Sequence, residues 1–301
     1  MVGRMGGFLG VILLLSWLPS VVLAQSLPTL SIDAQSETST AEGQLNLGIQ
    51  YIQQGQLEEA IAAFRQSVAL SPSFAPGYYN LGLALRQRGD LQGSADAFYQ
   101  ATQADPGFAL AYANLGAALL EGNNLDLAKD YLQRSIELDP SLALSYYNLG
   151  LVQRLQGDLA GAVISFQQAI QLSPSAPEPE YHLGLVYLQQ GDLTNASAAL
   201  QQAVTLAPNY FEAHYSLGTV YYQQGNLEEA LVAFRRSAES NPNYPNAYYG
   251  AGLVFIQQGK YGDAQRVLEY ARDLFSVQGN PQWSASAEQL RQQAQNQSST
   301  P

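Results

Sequence analysis

Residues 143–176 read ALSYYNLGLVQRLQGDLAGAVISFQQAIQLSPSA, and this stretch decides the fold. Apolar residues recur at helical spacing on both sides of Gly157-Asp158, so the stretch encodes two amphipathic helices joined by a tight turn. Each runs for about 12–14 residues, a common helix length. Glycine ends the first helix by taking the left-handed conformation, and aspartate caps the second. Pro174 then stops the second helix. The same punctuation recurs along the chain. Pro72, Pro106, Pro140, Pro174, Pro208 and Pro242 stand 34 residues apart. Gly48, Gly82, Gly116, Gly150, Gly184, Gly218 and Gly252 keep the same register without an insertion. Seven units therefore begin at Ala41, Ala75, Ala109, Ala143, Pro177, Phe211 and Pro245.

A lone hairpin of this size cannot bury enough apolar surface, whereas a stack buries a continuous core. The ladder glycine and the alanine at unit position 20 are small, which lets the paired helices approach closely. The turn pairs are Gly55-Gln56, Gly89-Asp90, Gly157-Asp158, Gly191-Asp192, Gly225-Asn226 and Gly259-Lys260, and the third unit alone lacks the turn glycine, with Asn123-Asn124 in those slots. Asn226 with Glu229 has capping-box spacing. After the last unit, Pro281 precedes an apolar stripe of Trp283, Ala287, Leu290 and Ala294, the pattern of a capping helix with a polar outer face. Residues 295–301 are expected to be a frayed polar tail. Residues 25–40 lack periodicity and are expected to be a disordered leader.

The fourth and sixth units carry a resemblance to the tetratricopeptide repeat (TPR) family. They read Tyr146, Leu149-Gly150, Ala162, Phe166, Ala169, Pro174 and His214, Leu217-Gly218, Tyr221, Ala230, Phe234, Ser237, Pro242. Departures are mild: Gln153 at position 11, Ser94 at position 20, and Leu132, Leu200 and Leu268 in place of Phe. The seventh unit has Ala251 for Leu and Ser276 for Pro. The resemblance covers residues 41–276 and implies an all-α, right-handed solenoid of seven TPR helical hairpins, closed by the C-terminal capping helix.

In that family, positions 2, 5, 9, 12 and 13 of the first helix line a concave groove where ligands lie. Here position 5 offers Tyr79, Tyr147, Tyr181, Tyr215 and Tyr249, with Leu45 and Ala113 as exceptions. Position 6 adds Asn46, Asn80, Asn114 and Asn148, then His182 and Ser216. An asparagine amide both donates and accepts, so a ladder of them suits an extended peptide backbone. Tyrosines supply rigid amphipathic contact area. The same residues also suit packing between neighbouring units, and both uses stay open here. Arg86 and Arg154 at position 12 are the cations of this arc, which makes an acidic ligand group plausible. The family's clamp for C-terminal carboxylates is not expected, because position 2 carries the acids Glu42, Glu178 and Glu212.

Chemistry of other kinds finds little support in these residues. Cysteine is absent, so disulfides, thiol nucleophiles and thiolate metal sites are excluded. Two histidines give no convincing metal site, and neither a catalytic constellation nor a cofactor loop is recognisable. His214 replaces a core aromatic and is expected to be packed, while His182 is expected at the groove edge. With 13 basic against 25 acidic residues the chain repels phosphate backbones, so nucleic acid is not an expected partner. Arg4, the apolar run Phe8 to Leu18, and Val22-Leu23-Ala24 form a secretory signal peptide over residues 1–24, with cleavage expected before Gln25. The expected product is an exported adaptor, periplasmic, luminal or secreted, with no stable membrane insertion after cleavage. It would bind a protein or peptide in its groove. The alternative is a structural part of an envelope assembly or export machinery, for polysaccharide or pilus, bound through the convex face.

Overall fold

A computed structural model describes residues 39–298 of the chain. The expected signal peptide lies outside the described residues, as does most of the expected leader. Thr40 at the end of that leader caps the first helix, its hydroxyl accepting a hydrogen bond from the Gly43 amide at 3.0 Å.

Fourteen of the helices pair as seven antiparallel hairpins. These are α1 (Ala41–Gln53) with α2 (Leu57–Leu70), α3 (Ala75–Arg88) with α4 (Leu91–Ala104), and α5 (Ala109–Glu121) with α6 (Leu125–Leu138). There follow α7 (Ala143–Leu155) with α8 (Leu159–Leu172), α9 (Pro177–Gln190) with α10 (Leu193–Leu206), and α11 (Phe211–Gln224) with α12 (Leu227–Ser240). The last hairpin is α13 (Pro245–Gln257) with α14 (Tyr261–Val277), and α15 (Pro281–Ser298) closes the stack. No strand occurs among the described residues, and none of their helices is long and apolar enough to cross a membrane.

Helix–helix approach inside each hairpin rests on the expected pair of small residues. A Cβ at Gly150 would stand 2.8 Å from the Phe166 ring, so that ring occupies the room glycine leaves. Ala162, facing it from the second helix, is fully buried. In the second unit Ser94 takes the alanine slot and donates its hydroxyl to the Gly82 carbonyl at 2.9 Å, which satisfies the buried oxygen. The turns follow the sequence as well. Gly157 has φ 81°, and Asn123, the residue that replaces glycine there in the third unit, has φ 59°.

Capping is less uniform than the sequence suggests. Asp90, Asp158 and Asp192 accept from the amide three residues on, at 2.9, 2.9 and 3.1 Å. Asn226 makes no such cap bond, and its amide turns to Gln224 instead. The capping box expected at Asn226 and Glu229 is therefore not formed.

The first helices of neighbouring units touch each other along the stack, while second helices are kept apart by the first helix between them. That inequality curves the stack and places the first helices on its inner side. A further periodic tie holds some second helices. Ser67, Ser135 and Ser237 each donate to the carbonyl that opens their own unit, at 2.6, 2.7 and 2.8 Å.

At the C-terminus the missing proline has a visible effect. With Ser276 in its place, α14 runs for 17 residues where other second helices run for 14. Ala287 and Ala294 of α15 are fully buried, and Trp283 stacks on Phe275 with ring centroids 5.8 Å apart. The helix continues through Ser298, past the point where a frayed tail is expected, with Gln265 donating to the Ser298 hydroxyl at 3.3 Å.

Candidate functional site

The inner arc of the stack is built from the first helices, and its residues divide by depth. Tyr79, Tyr147 and Tyr181 form a floor, each no more than 5% exposed. Tyr215 and Tyr249, toward the C-terminal end, stay half-buried. Asn46 is exposed and Asn80 half-buried, whereas Asn114 and Asn148 are buried. Leu83, Leu185, Thr219 and Leu253 at position 9 remain half-buried, and Gln87, Gln189, Gln223 and Gln257 at position 13 are exposed.

The floor has an internal logic that operates across units. A position-5 tyrosine meets the position-6 residue of the next unit. Asn114 donates to the Tyr79 hydroxyl at 3.3 Å and also to the Leu110 carbonyl at 2.9 Å. Tyr181 faces Ser216; burial pushes its phenol up to about 12, and the neighbouring Ser216 side chain opposes the shift. Tyr147 meets His182, with ring centroids 5.7 Å apart. Asn148 has no such counterpart, because Ala113 stands where a tyrosine would be, and its amide nitrogen is buried without a hydrogen-bond partner. Asn80 is spent within its own helix, donating to the Pro76 carbonyl at 2.9 Å.

A second periodic feature escaped the sequence reading. The residue before each first helix is aromatic in several units and packs against the position-5 tyrosine, tilted for Phe108 on Tyr79 (5.1 Å) and Tyr210 on Tyr181 (4.9 Å) and edge-on for Tyr244 on Tyr215 (5.4 Å). The signal was legible as a recurring aromatic at position 34, with Ala176 the substitute in the fourth unit. Rings so covered gain packing beyond their area alone.

The two histidines exchange their expected places. His182 is 3% exposed and stacks on Phe166, centroids 5.8 Å apart and planes 17° apart. Burial, and secondarily the Arg154 charge, pull its pKa down to about 3, so it is neutral at ordinary pH. His214 is only half-buried and hydrogen-bonds the Pro208 carbonyl at 2.8 Å. Tyr248 does the same with Pro242 at 3.2 Å. Position 4 thus reaches back over the preceding turn, so a polar tip serves it as well as an aromatic body. From the third unit onward position 6 faces the hairpin core and is buried, as at Asn114, Asn148, His182 and Ser216.

The two arginines of the arc differ most. Arg86 forms an ion pair with Glu121 of the next unit, both side chains 15% exposed. Arg154 is 8% exposed, and its Nε has no hydrogen-bond partner. Burial lowers its pKa, and the nearby phenols of Tyr181 and Tyr147 partly offset that. The acids Glu178 and Glu212 sit half-buried at the opposite, N-terminal ends of their helices, and burial raises the Glu212 pKa. Positions 2 and 12 of one helix lie about 15 Å apart along its axis. The inner arc is thus acidic along one edge and cationic at one point on the other.

Comparison with known proteins accords with this geometry. Family profiles described as tetratricopeptide repeat match residues 181–248 and 75–108 with 109–142, and one described as TPR repeat matches 48–85 and 153–191. No curated protein matches the sequence. Among solved structures, the chain is similar to YrrB, described as a TPR protein with an unusual peptide-binding site. Identity is 28% and TM-score 0.54, over 65% of this chain and 99% of that one. It is similar to a chain of the APC/C hetero-tetramer Cut9–Hcn1 at 25% identity and TM-score 0.63, over 72% of this chain and 43% of that one. PilF of Pseudomonas aeruginosa shares the fold at 17% identity and TM-score 0.62, over 70% of this chain and 96% of that one.

Proposed function

The chain belongs to the tetratricopeptide repeat family, and on that premise we propose that it is a protein-interaction scaffold whose concave face holds an extended segment of a partner polypeptide. One observation carries the reading. Along the inner helices Leu83, Leu185, Thr219 and Leu253 at position 9 stay half-buried, in a row interrupted by the buried Ala117 and Leu151, beside the exposed Gln87, Gln189, Gln223 and Gln257 at position 13, while the hairpin faces are consumed by packing. A row of that kind offers apolar contact and amide hydrogen bonds along the stack. The buried tyrosines act as its rigid floor, and Tyr215 and Tyr249 present more of their rings toward the C-terminal end. The peptide-binding site in the description of YrrB supports the same use. The chain acts by binding, without catalysis, and it works outside the cytoplasm, on the strength of the signal-peptide pattern of residues 1–24.

The test is selection of displayed twelve-residue random peptides on the full folded chain. Leu155→Lys with Leu253→Lys charges the groove, and Ile164→Lys with Val232→Lys charges the outer face. Capture is expected to fail for the first pair and survive in the second. Survival in the first pair with loss in the second would contradict the concave reading. It would favour the alternative of an envelope-assembly part working through its convex face, where Ile164 is 62% and Val232 49% exposed. Export is tested by the N-terminal mass of the chain recovered from its native cell. A start at Gln25 is expected, and a retained Met1 would contradict it.

A further inference from the structure

Among the described residues Arg154 is a buried cation without a counterion, and the repeat itself shows what is missing. Thirty-five residues after Arg86 stands Glu121, which neutralises it. Thirty-five residues after Arg154 stands Gln189, exposed and neutral. Arg154 is more than nine-tenths buried, its Nε is unpartnered, and no ion pair or side-chain hydrogen bond to it occurs among the described residues. A charge so placed loses hydration without repayment, which is costly unless something else supplies the anion. The position next to it, a glutamine slot in five of the other units, holds Leu155, 49% exposed.

We propose that the Arg154 site receives one Asp or Glu side chain of the extended peptide held in the groove, with Leu155 gripping an apolar neighbour of that residue. This rests on the groove reading above and names its ligand chemistry. The surrounding groups suit a single carboxylate. Tyr147 and Tyr181 flank the guanidinium, and neutral His182 adds no second cation. Glu178 and Glu212 stand at the far ends of their helices and orient the ligand by repelling its acid from that edge. The net charge of −12 opposes polyanions, so the ligand carries its one acid among neutral or basic residues.

The probe is the displayed random dodecapeptide pool with both termini blocked, selected on wild type, Arg154→Gln and Gln189→Glu. The last variant recreates the Arg86–Glu121 arrangement without removing the arginine. Enrichment of a single Asp or Glu beside an apolar residue is expected on wild type and is lost on both variants, while the apolar preference persists. A synthetic peptide from the wild-type pool should bind about tenfold or more tightly than its Glu→Gln twin, as a charge-assisted hydrogen bond requires. On Gln189→Glu the two twins should bind alike. Captured peptides with no acidic residue, or equal enrichment on all three proteins, would overturn the inference and leave the groove reading standing. Capture of no peptide by any of them would overturn both.

Discussion

The junction of the second and third units and the junction of the fourth and fifth use the same slots to opposite ends. At the first, Tyr79 is hydrogen-bonded by Asn114, covered by Phe108, and flanked by the Arg86–Glu121 pair. At the second, the same slots hold Tyr147, His182, Ala176, Arg154 and Gln189. One junction pairs its cation and leaves only the Asn114 Oδ1 of these slots unpaired, while the other buries a cation and a neutral imidazole and leaves the Arg154 Nε and the His182 Nδ1 unpaired. Since the backbone frame is shared, the difference lies in side-chain chemistry alone. A repeat protein can thus hold its architecture constant and open a binding site by declining one compensation.

The largest expected effects test whether the frame is indeed shared. Phe98 and Phe166 are both fully buried against the ladder glycine. Phe98→Ala and Phe166→Ala should each cost about 3–5 kcal/mol in denaturant unfolding, with similar values at the two junctions. A wide disparity would break the comparison at its root. Next comes Glu121→Gln, which strands Arg86. Both partners keep some solvent, so the expected cost is roughly 1–3 kcal/mol, below that at a fully buried pair.

A pH prediction separates the junctions further. The lowered pKa of His182 means the unfolded chain takes up a proton below about 6.5 while the folded chain stays neutral to about 3. Its contribution is therefore complete above pH 6.5 and lost as pH falls. The protection of amides around α9, corrected for the slower intrinsic exchange at low pH, should fall from pH 7 to pH 5 by about 1–2 kcal/mol. His182→Phe should remove that dependence, and the amides around α5, where Asn114 holds the slot, should lack it. Smallest are the caps. Asp90→Ala and Asp158→Ala should each cost about 1 kcal/mol, with the loss at Asp90 slightly larger because it also pairs with Arg88.

The frame was legible from the proline and glycine ladders because each of those residues acts locally, by ending a helix or by admitting a ring. Asn123 replacing glycine at a positive φ could be read for the same reason. Depth on the inner arc was not legible. Whether Asn114 faces solvent or Tyr79 depends on contacts 35 residues away, which a single-unit wheel does not contain. The two histidines were assigned in reverse on that account, since positions 4 and 6 differ in which neighbouring unit covers them. The absence of a counterion for Arg154 emerges only when Gln189 is set against Glu121 across two junctions.

The most direct test of this account is the unfolding midpoint of Gln189→Glu beside wild type in the same buffer. If Arg154 is an open charge, the new carboxylate completes the pair and the variant unfolds at higher denaturant, by roughly 1–2 kcal/mol. An unchanged or lower midpoint would mean that Arg154 is already compensated, and the distinction drawn between the two junctions would fall.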